Sequence, residues 1–128
     1  MNEKKINILH YVDGFGDFEM EKELCAMKLE DFYPNAEITH TNDFEDVKEL
    51  YKYDIVFFDY GGLDLPGASI LFDDHERIFM KEIEENKNTI FCIISQLPPI
   101  WADREIGETF PNLFIGWESL EQIKAITP

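Results

Sequence analysis

Two aspartates each follow an apolar run that has the composition of a β-strand. Asp13 follows Ile6–Val12, and Asp59 follows Ile55–Phe58. If both runs are parallel strands of one open α/β sheet, the two carboxylates lie at the edge where such sheets bind ligands. Mg²⁺ would suit that edge, because it accepts one or two carboxylates, relieves their repulsion and keeps waters for a phosphate. The alternative is that both aspartates only begin turns, since a glycine follows each within two residues.

The segments that would position these carboxylates alternate between strand-like and helical patterns. We predict strands at 5–12, 36–41, 54–60, 89–95 and 113–117, and helices at 17–33, 43–52, 73–86, 101–108 and 119–126. Near-continuous apolar strands are typical of parallel sheets covered on both faces, and the intervening helices supply the crossovers. Asn42, with Glu45 three residues on, matches a capping box for the second helix.

This alternation predicts one domain over residues 1–128. Its fold class is α/β, with a five-stranded, mostly parallel open sheet and helices on both faces. That is a flavodoxin-like or receiver-like three-layer sandwich.

The charge of the chain limits its partners. It carries 27 acidic and 11 basic residues, for a formal net charge of −16. The lysines are scattered among acids, so direct binding to nucleic acid or to an anionic membrane is disfavoured. Metal cations or a basic protein surface are the natural complements. The charge could equally serve solubility alone.

The sequence also predicts a cytoplasmic location. The first residues run into a strand-like stretch without the apolar region of a signal peptide. No apolar run approaches the length of a membrane span. Cys25 falls in a helical pattern and Cys92 in a strand pattern, which predicts buried free thiols in a reducing compartment.

Several of these residues resemble a known family. Lys4–Asp13 and Tyr53–Asp59 are similar to the first and third strands of a response-regulator receiver domain. The resemblance implies that Asp59 is the phosphoacceptor and that Asp13 and Asp59 are the metal ligands. It also implies that Ser95, after the fourth strand, donates a hydrogen bond to a phosphoryl group.

The sequence departs from that family at three places. Trp117 stands where a lysine is expected after the fifth strand, the acidic pair after the first strand is reduced to Asp13, and Gly61–Asn88 is longer than usual. Without the lysine, a phosphoaspartate lacks its main counter-charge. The resemblance therefore implies a degenerate receiver-like domain whose acceptor site is either vestigial or real.

A second candidate surface is aromatic. Trp101, at the end of a loop stiffened by Pro98 and Pro99, could form an exposed patch with Phe110 and Trp117. Aromatic residues anchor protein interfaces, and receiver-like domains commonly dimerise or signal through the face that includes their fifth strand. The alternative is that these aromatic side chains close the core.

Other motifs give weaker signals. His10, His40 and His75 are dispersed and show no metal-ligand spacing, so we expect His10 to be packed within the first strand. A dinucleotide loop at Gly14–Gly16 lacks its third glycine, because Glu19 occupies that position.

Three functions follow from these observations. The leading hypothesis is a non-catalytic regulatory or protein-binding domain, for which a homodimer is also conceivable. The first alternative is an acidic inhibitor, or nucleic-acid mimic, that binds a basic protein. The second alternative is a small α/β enzyme acting on a nucleotide or phosphorylated metabolite, although no assembled nucleophile, base and orienting group is visible.

Overall fold

Five parallel strands form one sheet in the computed structural model, which describes residues 5–12, 18–59, 73–94 and 111–127. The strands are β1 (Asn7–Val12), β2 (Glu37–Thr41), β3 (Ile55–Asp59), β4 (Ile90–Ile94) and β5 (Leu113–Ile115). Their order is β2-β1-β3-β4-β5, and every adjacent pair is parallel. This is the flavodoxin-like doubly wound order, so the predicted fold class is confirmed.

Helices cover both faces of this sheet. Within the described ranges the α-helices are α1 (Phe18–Glu30), α2 (Asp73–Glu85) and α3 (Leu120–Ile126). α1 and α3 pack on the face that carries Ile8, Phe57 and Cys92. α2 packs on the opposite face through Phe79, whose ring stacks on Phe58 with centroids 3.7 Å apart. Because β3 and β4 are buried on both faces, their sequences have to be almost continuously apolar.

The helix predicted at 43–52 is wrong. Two short 3-10 helices, Phe44–Asp46 and Leu50–Lys52, occupy this segment. Its apolar residues recur at every third position, which is the period of a 3-10 helix and not of an α-helix. They are Phe44, Val47, Leu50 and Tyr53, and all four pack into the core on the α2 side.

Backbone conformation and capping separate these two turns. Glu49 has a φ of 51°, in the left-handed region that interrupts a right-handed helix. The cap of the first turn is Asp43, whose carboxylate accepts the Glu45 N–H at 3.0 Å. The cap predicted at Asn42 is therefore displaced by one residue.

The fifth strand ends two residues earlier than predicted. Gly116 has a φ of 84°, and Trp117 begins a 3-10 helix, Trp117–Ser119. The helices predicted at 17–33, 73–86 and 119–126 are present within a few residues of their predicted ends. The helix predicted at 101–108 lies outside the described residues.

None of the helices in the described part of the chain combines the length and the apolar composition that a bilayer span requires.

Asn112 joins the end of α2 to the end of the sheet. Its Nδ2 lies 3.1 Å from the Ile83 and Asn86 carbonyl oxygens and 3.0 Å from that of Thr89. Asn112→Ala removes this shared donor, although the Asn86 carbonyl still accepts the Thr89 N–H. We therefore expect the substitution to lower the free energy of unfolding by about 1–3 kcal/mol. Urea denaturation measures this change. The exposed Asn88 offers a matched control, and its alanine variant is expected to change stability by less than about 0.5 kcal/mol. Equal effects of the two substitutions would contradict the structural role of the Asn112 hydrogen bonds.

Candidate functional site

The carboxyl ends of β1 and β3 lie side by side. The two strands are parallel neighbours, and Val12 is the register partner of Asp59. The strand order reverses between them, which is where open α/β sheets bind ligands. The prediction that these two runs are parallel strands of one sheet, ending at the same edge, is confirmed. Asp13 lies outside the described residues, so its distance from Asp59 stays a prediction.

Asp59 is buried beside a histidine. Its side chain is 0% exposed, and Oδ2 lies 2.7 Å from Nε2 of His10, which is also 0% exposed. Alternate residues of a strand share a face, so His10 points to the same side as Ile8, toward α1. A carboxylate can only accept, so His10 donates its Nε2–H to Asp59. The predicted burial of His10 in the first strand is confirmed, but the residue is part of a polar network.

His40 extends this network to the edge of the sheet. It is the register partner of His10 across β1 and β2, and the two Nδ1 atoms are 2.8 Å apart. The ring planes are almost perpendicular, at 89°. One Nδ1 atom donates to the other, and the tautomers of the two rings decide which of them is the donor. A chain of hydrogen bonds thus joins Asp59, His10 and His40.

Cys25 brings a sulfur to the same place from α1. Its side chain is 0% exposed, and its Sγ belongs to a group of ligand atoms, with those of His10 and His40, that all lie within 4.8 Å of one another. Burial is the main cause that raises the pKa of the thiol, and the charges of Asp59 and Glu21 raise it further. The thiol is therefore protonated at neutral pH.

This composition does not make a nucleophilic site. Cysteine, histidine and aspartate also form catalytic triads, in which the thiol is activated by a lowered pKa or an adjacent base. Here the pKa of Cys25 is raised, and the sulfur is buried within a helix, where a substrate has no access. The thiol of Cys25 therefore lacks the activation that covalent catalysis requires.

The other predicted site residues are distributed differently. Ser95, Trp101 and Phe110 lie outside the described residues, as does Asp13. Trp117 is half-buried, and its ring lies 5.4 Å from that of Phe57 in the core on the α1 side. The phosphoacceptor role of Asp59 and the partner role of Trp117 both stay predictions.

Sequence reasoning missed the histidine pair, although a signal for it exists. β1 contains Ile8-Leu9-His10 and β2 contains Ile38-Thr39-His40, so both strands carry the pattern Ile-X-His. Once β1 and β2 are taken as neighbours in register, the two imidazoles must be adjacent. Nothing local to Cys25 or Asp59 indicates that they join this pair.

Comparison with known proteins supports the fold. No protein-family model matches the sequence, and no curated protein matches it. A Burkholderia pseudomallei protein described as pilus assembly-related has a similar structure, with a TM-score of 0.53 and 15% identity over 94% of this chain and 90% of that chain. A Fusobacterium nucleatum flavodoxin mutant bound to flavin mononucleotide aligns over 70% of this chain and 49% of that chain, with a TM-score of 0.43 and 12% identity.

At 15% identity, the first of these likenesses shows the fold alone. The resemblance to receiver domains is supported as an architecture by the strand order β2-β1-β3-β4-β5, which those domains share. No sequence match supports membership of the response-regulator family.

The histidine pair predicts a specific pH dependence. Burial, with smaller contributions from the nearby charges of His10 and Lys22, lowers the pKa of His40 from its ordinary 6.5 to about 4. Below about pH 6.5 the His40 ring binds a proton in the unfolded state, whereas in the native state it binds one only near pH 4. Stability is therefore full above about pH 6.5 and falls as the pH drops through this window.

We expect His40→Gln to remove about 1–2 kcal/mol of the stability difference between pH 7 and pH 4, allowing for the partial exposure of the ring. Urea denaturation at several pH values measures the two profiles, and NMR titration of the ring reports the pKa directly. Parallel profiles, or a His40 that titrates near 6.5, would contradict the assignment.

Proposed function

We propose that this chain is a non-catalytic, receiver-like regulatory domain that binds a basic amphipathic segment of a protein partner through the outer face of α1. The free, buried thiols Cys25 and Cys92 support a reducing compartment such as the cytoplasm. The observation that carries the proposal is an apolar stripe on the side of α1 that faces away from the sheet.

The stripe consists of Met20, Leu24 and Met27. These side chains are 63%, 37% and 67% exposed, and their spacing of four and three residues places them on one helical face. Cys25 and Leu29 occupy the opposite, buried face. A helix packed on one side ordinarily presents polar residues on the other. Methionine is common on surfaces that bind partners, because its flexible side chain adapts to different shapes.

Acidic residues border the stripe. Glu19, Glu23 and Glu30 follow one another at spacings of four and seven, so they form a row along one side of it. Together with the net charge of −16, this row favours a partner that carries lysine or arginine beside its apolar residues. An amphipathic helix of that kind would pack its apolar side chains against the stripe and place its basic side chains beside the glutamates.

The stripe continues toward the predicted aromatic face. Met27 and Phe32 line a surface depression together with Trp117. The half-buried Trp117 could therefore contact the same partner as Met27. This continuity supports a role for Trp117 in the proposed interface.

The acceptor site is proposed to be vestigial. A phosphoryl donor must reach the carboxylate of Asp59, but that side chain is 0% exposed and its Oδ2 is engaged by His10. Mg²⁺ at Asp13 and Asp59 belongs to the active form of the site, which remains the alternative to this proposal.

A synthetic helical peptide of lysines and leucines tests the proposed interface. We expect it to bind the wild-type protein, and Met27→Ser with Leu24→Ser to weaken binding by at least about tenfold, because the anchoring apolar contacts are lost. Fluorescence anisotropy of the labelled peptide measures the affinity. The control is Tyr51→Ser, which removes a side chain of equal exposure, 67%, from a 3-10 helix elsewhere.

Two outcomes would contradict the proposal. One is absence of peptide binding, and the other is an equal effect of the stripe and Tyr51 substitutions. A peptide with glutamates in place of lysines is expected not to bind.

The same experiment distinguishes the acidic-inhibitor hypothesis, which the net charge of −16 favours. A purely electrostatic inhibitor binds basic partners through surface carboxylates, so its affinity falls steeply with ionic strength. In that case the Leu24 and Met27 substitutions leave affinity unchanged and salt abolishes it. Binding through the stripe retains a salt-resistant component.

Magnesium and a phosphoryl mimic test the acceptor site. We expect the amide NMR signals of His10 and Asp59 to stay unchanged when Mg²⁺ and beryllofluoride are added, because the carboxylate is buried and hydrogen-bonded. Saturable shifts at these two residues, absent in Asp59→Asn, would show an active acceptor and overturn the vestigial form. Shifts confined to exposed carboxylates would reflect the acidic surface.

A further inference from the structure

We propose that His10, Cys25 and His40 form a binding site for a Zn²⁺-class transition-metal ion, with Asp59 orienting His10 from the far side of its ring. This site is independent of the proposed partner surface, because it faces the sheet and not solvent.

The ligand atoms already lie close to the separations that zinc requires. In a tetrahedral site with Zn–N of about 2.0–2.1 Å and Zn–S of about 2.3 Å, neighbouring ligand atoms are about 3.3–3.6 Å apart. The two Nδ1 atoms are 2.8 Å apart, and one ring nitrogen of each histidine and Sγ of Cys25 all lie within 4.8 Å of one another. Small side-chain rotations that part the imidazoles and bring Cys25 inward would complete the set.

The outer contact of His10 is the second observation. Histidine ligands of metals usually donate their other ring N–H to a carboxylate, which fixes the tautomer and makes the ligating nitrogen more basic. Nε2 of His10 makes this contact with Asp59 at 2.7 Å, and both side chains are 0% exposed. Nδ1 of His10 thereby faces Nδ1 of His40.

A metal ion could take the place of the proton that lies between the two imidazoles. Two facing Nδ1 lone pairs repel each other unless a proton or a metal ion lies between them. On metal binding, His40 would hold its ring proton on Nε2, and Cys25 would release its thiol proton to solvent as the Zn–S bond forms. The net products are the metal complex and one proton.

Ligand chemistry selects the type of metal. Imidazole and thiolate suit Zn²⁺ and copper, whereas Mg²⁺ and Ca²⁺ prefer oxygen ligands. Three protein ligands leave the fourth tetrahedral position for water or another small ligand. The half-buried His40, on the edge strand β2, provides the side from which an ion can enter.

Cobalt provides a spectroscopic probe of this site. We expect the metal-free protein to bind one equivalent of Co²⁺ with the visible absorption of a tetrahedral complex and a near-ultraviolet thiolate charge-transfer band, and Zn²⁺ to displace it. Cys25→Ser removes the charge-transfer band. Cys92→Ser is the matched control, because Cys92 is also a buried free thiol but its Sγ contacts the Gly116 carbonyl oxygen at 3.5 Å.

Affinity measurements complete the test. We expect His40→Gln to weaken Co²⁺ binding more than about a hundredfold and Asp59→Asn by about 10–100-fold, as for outer contacts of metal ligands. His40 is half-buried on an edge strand, so its variant decides the matter if Cys25→Ser does not fold. The proposal is overturned if the wild-type protein binds no Co²⁺, or if His40→Gln binds it as tightly as the wild type.

Discussion

The buried contact between Asp59 and His10 is the constraint on which the rest of the structure depends. Both side chains are 0% exposed, and a carboxylate removed from water needs a hydrogen-bonding partner. That partner is in reach only if β1 and β3 are neighbours with Val12 opposite Asp59. A slip of one residue would turn Asp59 toward the face where Phe58 and Phe79 stack. The polar pair therefore specifies both strand order and register, which apolar burial alone specifies less sharply.

The same contact changes the chemistry available at the carboxyl ends of β1 and β3, where the strand order reverses. In open α/β sheets the carboxyl ends of neighbouring strands bind ligands, and a receiver domain places its acceptor carboxylate there. In this chain the carboxylate of Asp59 is directed into the protein and bonded to His10. The polar cluster therefore lies beneath α1, whose inner face supplies Cys25. The outer face of the same helix presents Leu24 and Met27. One helix thus carries both proposed sites on opposite sides. A shared fold at 15% identity could not have indicated this.

The sequence was sufficient for the architecture because its signals are local. The apolar runs that become β3 and β4, and the buried pair Cys25 and Leu29 on α1, can be read directly from periodicity. The segment from Phe44 to Tyr53 forms two 3-10 turns and not the predicted α-helix, although its three-residue period is visible in the sequence. The polar cluster is a different case, since His10 is 30 residues from His40 and 49 from Asp59. Such contacts follow from the register of neighbouring strands, which only the folded chain establishes.

The histidine pair also explains how the edge strand is held. Of the residues in β2, only Thr41 is buried, and Glu37 and Thr39 are exposed. The backbone ladder to β1 is therefore supported by few apolar contacts, mainly those of Ile38. The His40–His10 hydrogen bond adds a side-chain link from this strand to the buried carboxylate at the centre of the sheet. An ion bound at this link would join β2, β1 and α1 through three side chains, and so would stabilise the least buried strand most.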